Sequence, residues 1–439
     1  MRKQTTFFLT LLLIALLISG CAGTGEQQIV TPDLVPTDTE VPRAKPIDTM
    51  PPPSPTTTAT LSVPPTEVPP PNMESGPAPT LTAGVSLDIY FIQMLDRKVG
   101  WAIGGVDGSR DRILHTQDGA VSFQDVTPPV GPALSSGTEK WAVGAFIDPN
   151  QARVLYFPAI LEPLPPGGAD VIIWRTEDAG TTWSQSSMIS TSVLGTQAFP
   201  PRLFFINPDE GWFMARNGGA GMHRYPISLY RTRDGGASWE ALIEAIGGTG
   251  LQSCRKTGWA FGDVSNGIAT IDNCPVDGPA IERTHDGGRT WERVILPPPQ
   301  EDPQTVTDAY CQTEAPRFVD GELLVLSASC TAYEDPQIER QLFYRSSDGG
   351  QTWDAWDYPG GQLLFLDETR GFALSREIFW TADSGVTWER RKRVNWDGQF
   401  SFVDPEAGWA VARADEEIAL VTTEDGGDTW QIIDAVLAP

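Results

Sequence analysis

The sequence is short of the residues that bind metals, phosphates or nucleic acid. Only three histidines occur in 439 residues, and 31 Lys and Arg stand against 57 Asp and Glu, a formal net charge of −26. A chain this acidic lacks the basic footprint that nucleic acid requires. It has no Gly-x-Ser-x-Gly elbow, no His-Glu-x-x-His pair and no phosphate-cradling glycine loop. His115 and His285 fall inside a repeated pattern, which leaves His223 alone, and a metal site needs three or four ligands. No metal, cofactor or catalytic residue is therefore assigned. Beyond the N-terminus no apolar run approaches the ~20 residues that span a bilayer.

The N-terminus is different. Arg2 and Lys3 precede an apolar run at 7–18, and Ile18, Ser19, Gly20 and Cys21 follow in the manner of a bacterial lipobox. Residues 1–20 read as an export signal, with Cys21 as the lipid-modified first residue and the sole membrane attachment. Residues 21–83 read as a Pro/Thr-rich stalk with too few apolar side chains to offset its ordering entropy. The protein is thus expected outside the cytoplasm, lipid-anchored to a bacterial membrane, with its domain at 84–439. The four remaining cysteines, Cys254, Cys274, Cys311 and Cys330, point to two disulfides in an exported chain.

One eight-residue pattern returns seven times, at 116–123, 176–183, 232–239, 284–291, 346–353, 381–388 and 423–430. Its aspartates are Asp118, Asp178, Asp234, Asp286, Asp348, Asp383 and Asp425. Such a carboxylate accepts hydrogen bonds from its own turn, glycine supplies positive φ, and a closing Trp fills space between sheets. The first copy ends in Phe123 and lacks the second glycine, so a less regular hairpin is expected there. A second element, a strand leading through a polar turn to Gly-aromatic, recurs at Gly100, Gly211, Gly258, Gly371 and Gly408. The sixth unit is the barest, reading as four strands at 364–366, 372–374, 378–380 and 386–389. Four short strands per repeat is the content of a propeller blade. Six pattern tryptophans and four in the Gly-Trp elements (Trp101, Trp212, Trp259, Trp409) read as core.

Turns joining strands one to two and three to four open on one face, and here they are short and regular. The insertions fall in the other connections: 158–170, 217–226 and 331–339 within blades, 128–138, 186–201 and 297–314 between them. Irregular loops on a rigid scaffold commonly carry binding groups, so function is assigned to the long-loop face. His223, Arg224, Tyr225, Tyr310 and Tyr333 lie off the repeat and are the candidate contacts. Cys254 and Cys274 flank one hairpin and Cys311 and Cys330 the next, which predicts the pairs Cys254–Cys274 and Cys311–Cys330.

The eight-residue pattern resembles the Asp box, or BNR repeat, found between the third and fourth strands of propeller blades. The combined unit, with Phe402 and Asp404, then Gly408, Trp409 and Ala410, then Asp425 to Trp430, resembles the photosystem II assembly/stability factor propellers and their non-photosynthetic bacterial relatives. The resemblance implies an all-β, seven-bladed β-propeller that docks a partner and catalyses nothing. The expected role is therefore that of a monomeric scaffold or binding protein for a protein or glycan, touching the membrane through Cys21 alone. The alternative is a sialidase-like glycoside hydrolase. Its early Phe/Tyr-Arg-Ile-Pro segment has no match, Pro201, Arg202 and Leu203 being nearest, though Asp148, Asp170, Asp308, Glu314 and Asp335 offer carboxylates.

Overall fold

The computed structural model of the chain describes residues 81–439 apart from 130–139, 159–168, 192–199, 217–224, 226, 246–250, 252–253, 273, 275–277, 301–302, 304–305, 307, 320–321 and 338. It is an all-β, seven-bladed propeller of four-stranded antiparallel blades. Blade 1 comprises Asp88–Met94, Gly100–Gly105, Arg112–Thr116 and Ser122–Asp125; blade 7 comprises Asp397–Phe402, Gly408–Ala414, Glu417–Thr423 and Gln431–Ile433. Blades 2 to 6 open on Lys140–Phe146, Arg202–Phe205, Arg255–Phe261, Ala309–Phe318 and Gln362–Phe365.

The turn after each first strand is five residues long in all seven blades, at 95–99, 147–151, 206–210, 262–266, 319–323, 366–370 and 403–407. In six of them Asp96, Asp148, Asn207, Asp263, Asp367 or Asp404 caps two N–H groups ahead of it. This is the Asx turn, in which a short polar side chain stands in for backbone. The seven Asp turns between third and fourth strands lie at the same end of the blades. In each, the carboxylate accepts from the Ser/Thr opening the pattern and from the N–H and hydroxyl four residues on, as Asp348 does from Ser346 (2.7 Å) and Thr352 (2.9 and 2.6 Å). The first copy proves regular, because Ala120 takes the left-handed φ of 73° that glycine takes elsewhere and keeps its bond to Thr116.

Blades lock together through one position, the second residue of the second strand. Trp101 stacks on Phe146 of the next blade at 5.3 Å, Trp212 on Phe261 at 3.8 Å and Phe372 on Phe402 at 4.2 Å. The indoles of Trp212 and Trp409 also donate to the carbonyls of Gly287 and Gly119, in the Asp turns of the following blades. The glycine before this residue is steric: a Cβ on Gly211 would lie 2.6 Å from the Phe205 ring. In blade 2 the position is Arg153, fully buried, over the Phe205 ring and donating to Gly235 O.

Each terminal blade takes its own four strands from one continuous segment, and the ring closes through side chains and an added C-terminal strand. Gln399 of blade 7 bonds both the N–H and the carbonyl of Ile92, and Ser401 accepts from Met94 N–H. The C-terminal Val436–Leu437 then adds to blade 1 as a fifth strand, parallel to Ser122 and Phe123, while Leu437 also bonds Val85 and Gly84.

Several expectations are corrected. Gly258 and Trp259 sit in the first strand of blade 4, whose second strand opens at Gly267, because the Phe261 ring covers Gly267 and Asp263 caps the turn. The last strand of blade 6 is Glu389–Arg393, not 386–389, since Asp383 holds Thr387 within the turn. The six Asp-turn tryptophans are half-buried, each packed against the edge of a hydrophobic cluster rather than enclosed within it. The connections read as irregular loops of blade 2 contain an extra two-stranded sheet, Ala169–Val171 with Ile189–Thr191.

Candidate functional site

At the end of the blades opposite the Asp turns, the two disulfides form as expected, Cys254–Cys274 and Cys311–Cys330, with Cα atoms 4.9 and 4.1 Å apart. The second lies inside the paired strands, Cys311 facing Cys330 directly. The first sits over a buried ionic group. Lys256 Nζ is 3.1 Å from Glu282, whose other oxygen accepts from Arg293 at 3.0 Å, and Arg293 also contacts Cys254 Sγ at 3.0 Å. Burial pushes the Lys256 pKa down, and Glu282 works against that shift. Breaking such a buried group leaves an uncompensated charge and is strongly destabilising, so these residues read as structural.

Beside it stands the most reactive-looking cluster among the described residues. Asp272, at the end of the second strand of blade 4, is almost buried and is bound by Arg255 and by the Tyr310 hydroxyl of blade 5. Glu314, on the same strand as Tyr310, accepts from the Gln312 amide. Its pKa is raised by burial and by the Asp272 carboxylate, against the pull of Arg255 and Arg202. Arg202 and Glu314 are open to solvent, yet burial lowers the Arg202 pKa even against the attraction of Glu314. Arg202, Arg255 and Glu314 lie on the first strands of blades 3, 4 and 5, around the central channel that a propeller's blades enclose. Across the ring, Arg110 is sandwiched between Tyr90 (4.0 Å) and Trp141 (4.3 Å), and Arg413 donates to Tyr90 O at 2.9 Å.

Of the candidate contacts, His223 and Arg224 lie outside the described residues, as does Cys21. Tyr225 is half-buried in the connection of blade 3. Tyr310 is corrected: it is a strand residue paired with Thr331, not a loop residue, because the first strand of blade 5 begins at Ala309. Tyr333 is 54% exposed in the following connection, and its N–H bonds Asp308 O, which brings it to the same end of blade 5 as Tyr310. Among the carboxylates weighed for catalysis, Asp148 is corrected: it caps an Asx turn at the opposite end. Asp170 holds Ser190 in the extra sheet.

His115 is buried against Trp101 with its pKa lowered by that burial, and His285 bonds Asn266. Sequence reasoning missed Arg255, Asp272, Arg110 and Arg413; Arg255 faces Asp272 within blade 4, and only the packing of neighbouring blades brings Tyr310 to Asp272 and Arg413 to Tyr90. Among the described residues no group of three or more His, Cys, Asp or Glu could hold a metal, and no helix is long and apolar enough to cross a membrane.

No family model matches the chain. Over 280 residues it is 25% identical to a xyloglucanase from Paenibacillus sp., a match covering 60% of this chain and 25% of that enzyme, so the chain spans about a quarter of its length. Among solved structures, YCF48 bound to a D1 peptide matches with a TM-score of 0.47 at 16% identity, over 79% of this chain and 98% of that one. A PL25 ulvan lyase bound to -[GlcA(1-4)Rha3S]- matches with a TM-score of 0.45 at 11% identity, over 81% and 96%. The GH74 xyloglucanase of Xanthomonas campestris matches with a TM-score of 0.37 at 12% identity, over 80% and 68%. None of these likenesses assigns a role to a residue of this chain.

Proposed function

We propose that the chain is a non-enzymatic scaffold or binding protein, held outside the cytoplasm by a lipid on Cys21, whose long-loop face takes a protein or glycan partner. The observation that carries this reading is the contrast between the two ends of the blades. At one end the Asp and Asn side chains are consumed by their own turns. At the other, an exposed Tyr333, the Tyr310 edge and an arginine-rich channel mouth face outward. His223, Arg224 and Tyr225 are proposed as further contacts with the partner. The Asp-box pattern and its resemblance to docking propellers support the same choice, with a monomer touching the membrane through its lipid.

One observation favours glycoside hydrolysis as a second reading. Glu314, whose pKa is raised by burial and by Asp272, stands near a second carboxylate, a tyrosine and two arginines, and a pair of carboxylates is what such hydrolases use. The partial identity to a Paenibacillus xyloglucanase points the same way. The binding reading is preferred because Asp272 is almost buried and already engaged by Arg255 and Tyr310.

The test is a pair of assays on the full chain. Capture of a defined partner from its own membranes, abolished in Tyr333→Ala, is the expected result. Turnover of fluorogenic glycosides or xyloglucan that disappears in Glu314→Gln would replace the scaffold by the hydrolase.

A further inference from the structure

In a chain with 57 acidic residues against 31 basic ones, four bases stand in a row. Arg390, Arg391, Lys392 and Arg393 make up most of the fourth strand of blade 6, and every residue of Glu389–Arg393 is exposed. Charge on an outer strand commonly guards it against pairing with other chains. The corresponding strands of the other blades manage with far fewer bases: Asp354–Asp357 and Gln431–Ile433 have none, and Glu292–Ile295 has only Arg293, which is committed to Glu282. Edge protection therefore does not account for the run.

The strand borders an open groove of about 750 Å³ between blades 6 and 7, lined by Lys392 and Arg393 together with Trp396 and Trp430. Trp396 lies in the connection between the blades, outside every repeat, and meets Trp430 at 5.5 Å and 90°. Asn395 and Thr429 add an amide and a hydroxyl to the lining, and Asp428 is the acidic residue among them. Arg376 at the rim is held by Asp397 at 2.7 Å. Lys392 and Arg393 have no carboxylate partner among the described residues.

We propose that this groove, on the flank of blades 6 and 7 and away from blade 5, is a second binding site for an acidic carbohydrate bearing uronate groups. Indole surface with an amide and a hydroxyl beside it suits a sugar ring, which is apolar on its faces and polar at its edge. A guanidinium and an ammonium free of internal partners suit the carboxylate that such a sugar carries. A nucleic acid duplex fits poorly: with one charge per ~1.7 Å of axis it meets Asp428 and the chain's net charge of −26 at far higher charge density than a short uronate chain does. An anionic bilayer fits poorly as well, because Trp396 is half-buried against Phe400 and Trp430 rather than projecting for insertion.

Calorimetric titration of the full chain, with tryptophan fluorescence alongside, tests this against tetragalacturonate, a neutral xyloglucan oligosaccharide, dextran sulfate and phosphatidylglycerol vesicles. The expected result is tetragalacturonate binding that shifts the fluorescence, weakens with salt and falls about tenfold or more in Lys392→Glu/Arg393→Glu. Both substituted residues are exposed, so an unchanged melting temperature certifies that variant, and Trp396→Phe is expected to retain binding. No tetragalacturonate binding, equal binding by the double variant, or binding confined to dextran sulfate or to vesicles would each overturn the proposal. The partner-capture assay on Tyr333→Ala reads blade 5, not blades 6 and 7, and is unaffected by any of these outcomes.

Discussion

The two ends of the propeller obey different rules. At the Asp-turn end, first-to-second connections are uniformly five residues long, and the polar side chains in them bond their own backbone. At the opposite end, connections range from two residues at 375–376 and 415–416 to the fourteen of 126–139. The uniform end also carries the locks between blades, because the Trp212, Trp409 and Arg153 side chains all reach into the turn of the next blade. A turn that must fit its neighbour cannot vary in length. A connection that touches no lock can, and those connections border the channel cluster of Arg202, Arg255, Asp272, Tyr310 and Glu314.

The contrast can be broken most severely at Arg153. Arg153→Met deletes donors to Gly235, Thr176 and Pro208 carbonyls and is expected to cost about 3 kcal/mol or more of stability in urea unfolding. Arg153→Trp, which installs the residue found in blades 1, 3 and 7, should recover part of that loss. No recovery would mean that blade 2 joins blade 3 by some other rule.

A smaller effect is expected at one Asp turn. Burial pushes the Asp348 pKa up, but hydrogen bonds from Thr352, Ser346 and Gln351 N–H outweigh it and bring it to about 2. The folded pKa is thus below the unfolded value of about 4. Its contribution is fully present above pH ~4 and is lost as pH falls toward ~2. Asp286 behaves alike, at about 2. Asp348→Asn should cost about 1–2 kcal/mol at neutral pH and flatten the acid limb of the stability profile. An acid limb identical to that of the parent chain would remove the turn carboxylates from the account.

The smallest effect sharpens the comparison. Ala120 is the one residue at the second glycine position of an Asp turn that carries a Cβ, at φ 73°. Ala120→Gly relieves left-handed strain at some cost in unfolded-chain entropy and should raise stability by about 0.5 kcal/mol. A decrease in melting temperature would show that the alanine methyl, fully buried in blade 1, is worth more than the strain.

Legibility in the sequence follows the same division. The Asp turns and the disulfide pairs could be read from residues close together in the chain. Arg153 could not, because nothing in its neighbourhood marks an arginine as a substitute for tryptophan. Gly258 misled for a related reason. A Gly-Trp-Ala triplet looked like the start of a second strand, and only the ring of Phe261 over Gly267 shows which glycine performs that function. Tyr310 looked like a loop residue because the first strand of blade 5 runs to ten residues, longer than its counterparts.

By itself the sequence determined the seven hairpins, since each depends on a carboxylate, a hydroxyl and two positive-φ residues within eight positions, and such chemistry needs no distant partner. The tertiary structure decided how the ring closes, which residues lock one blade to the next, and which charges share the channel. Those outcomes depend on the register between strands far apart in the chain. Residues 92 and 399, or 272 and 310, meet only after the blades have packed.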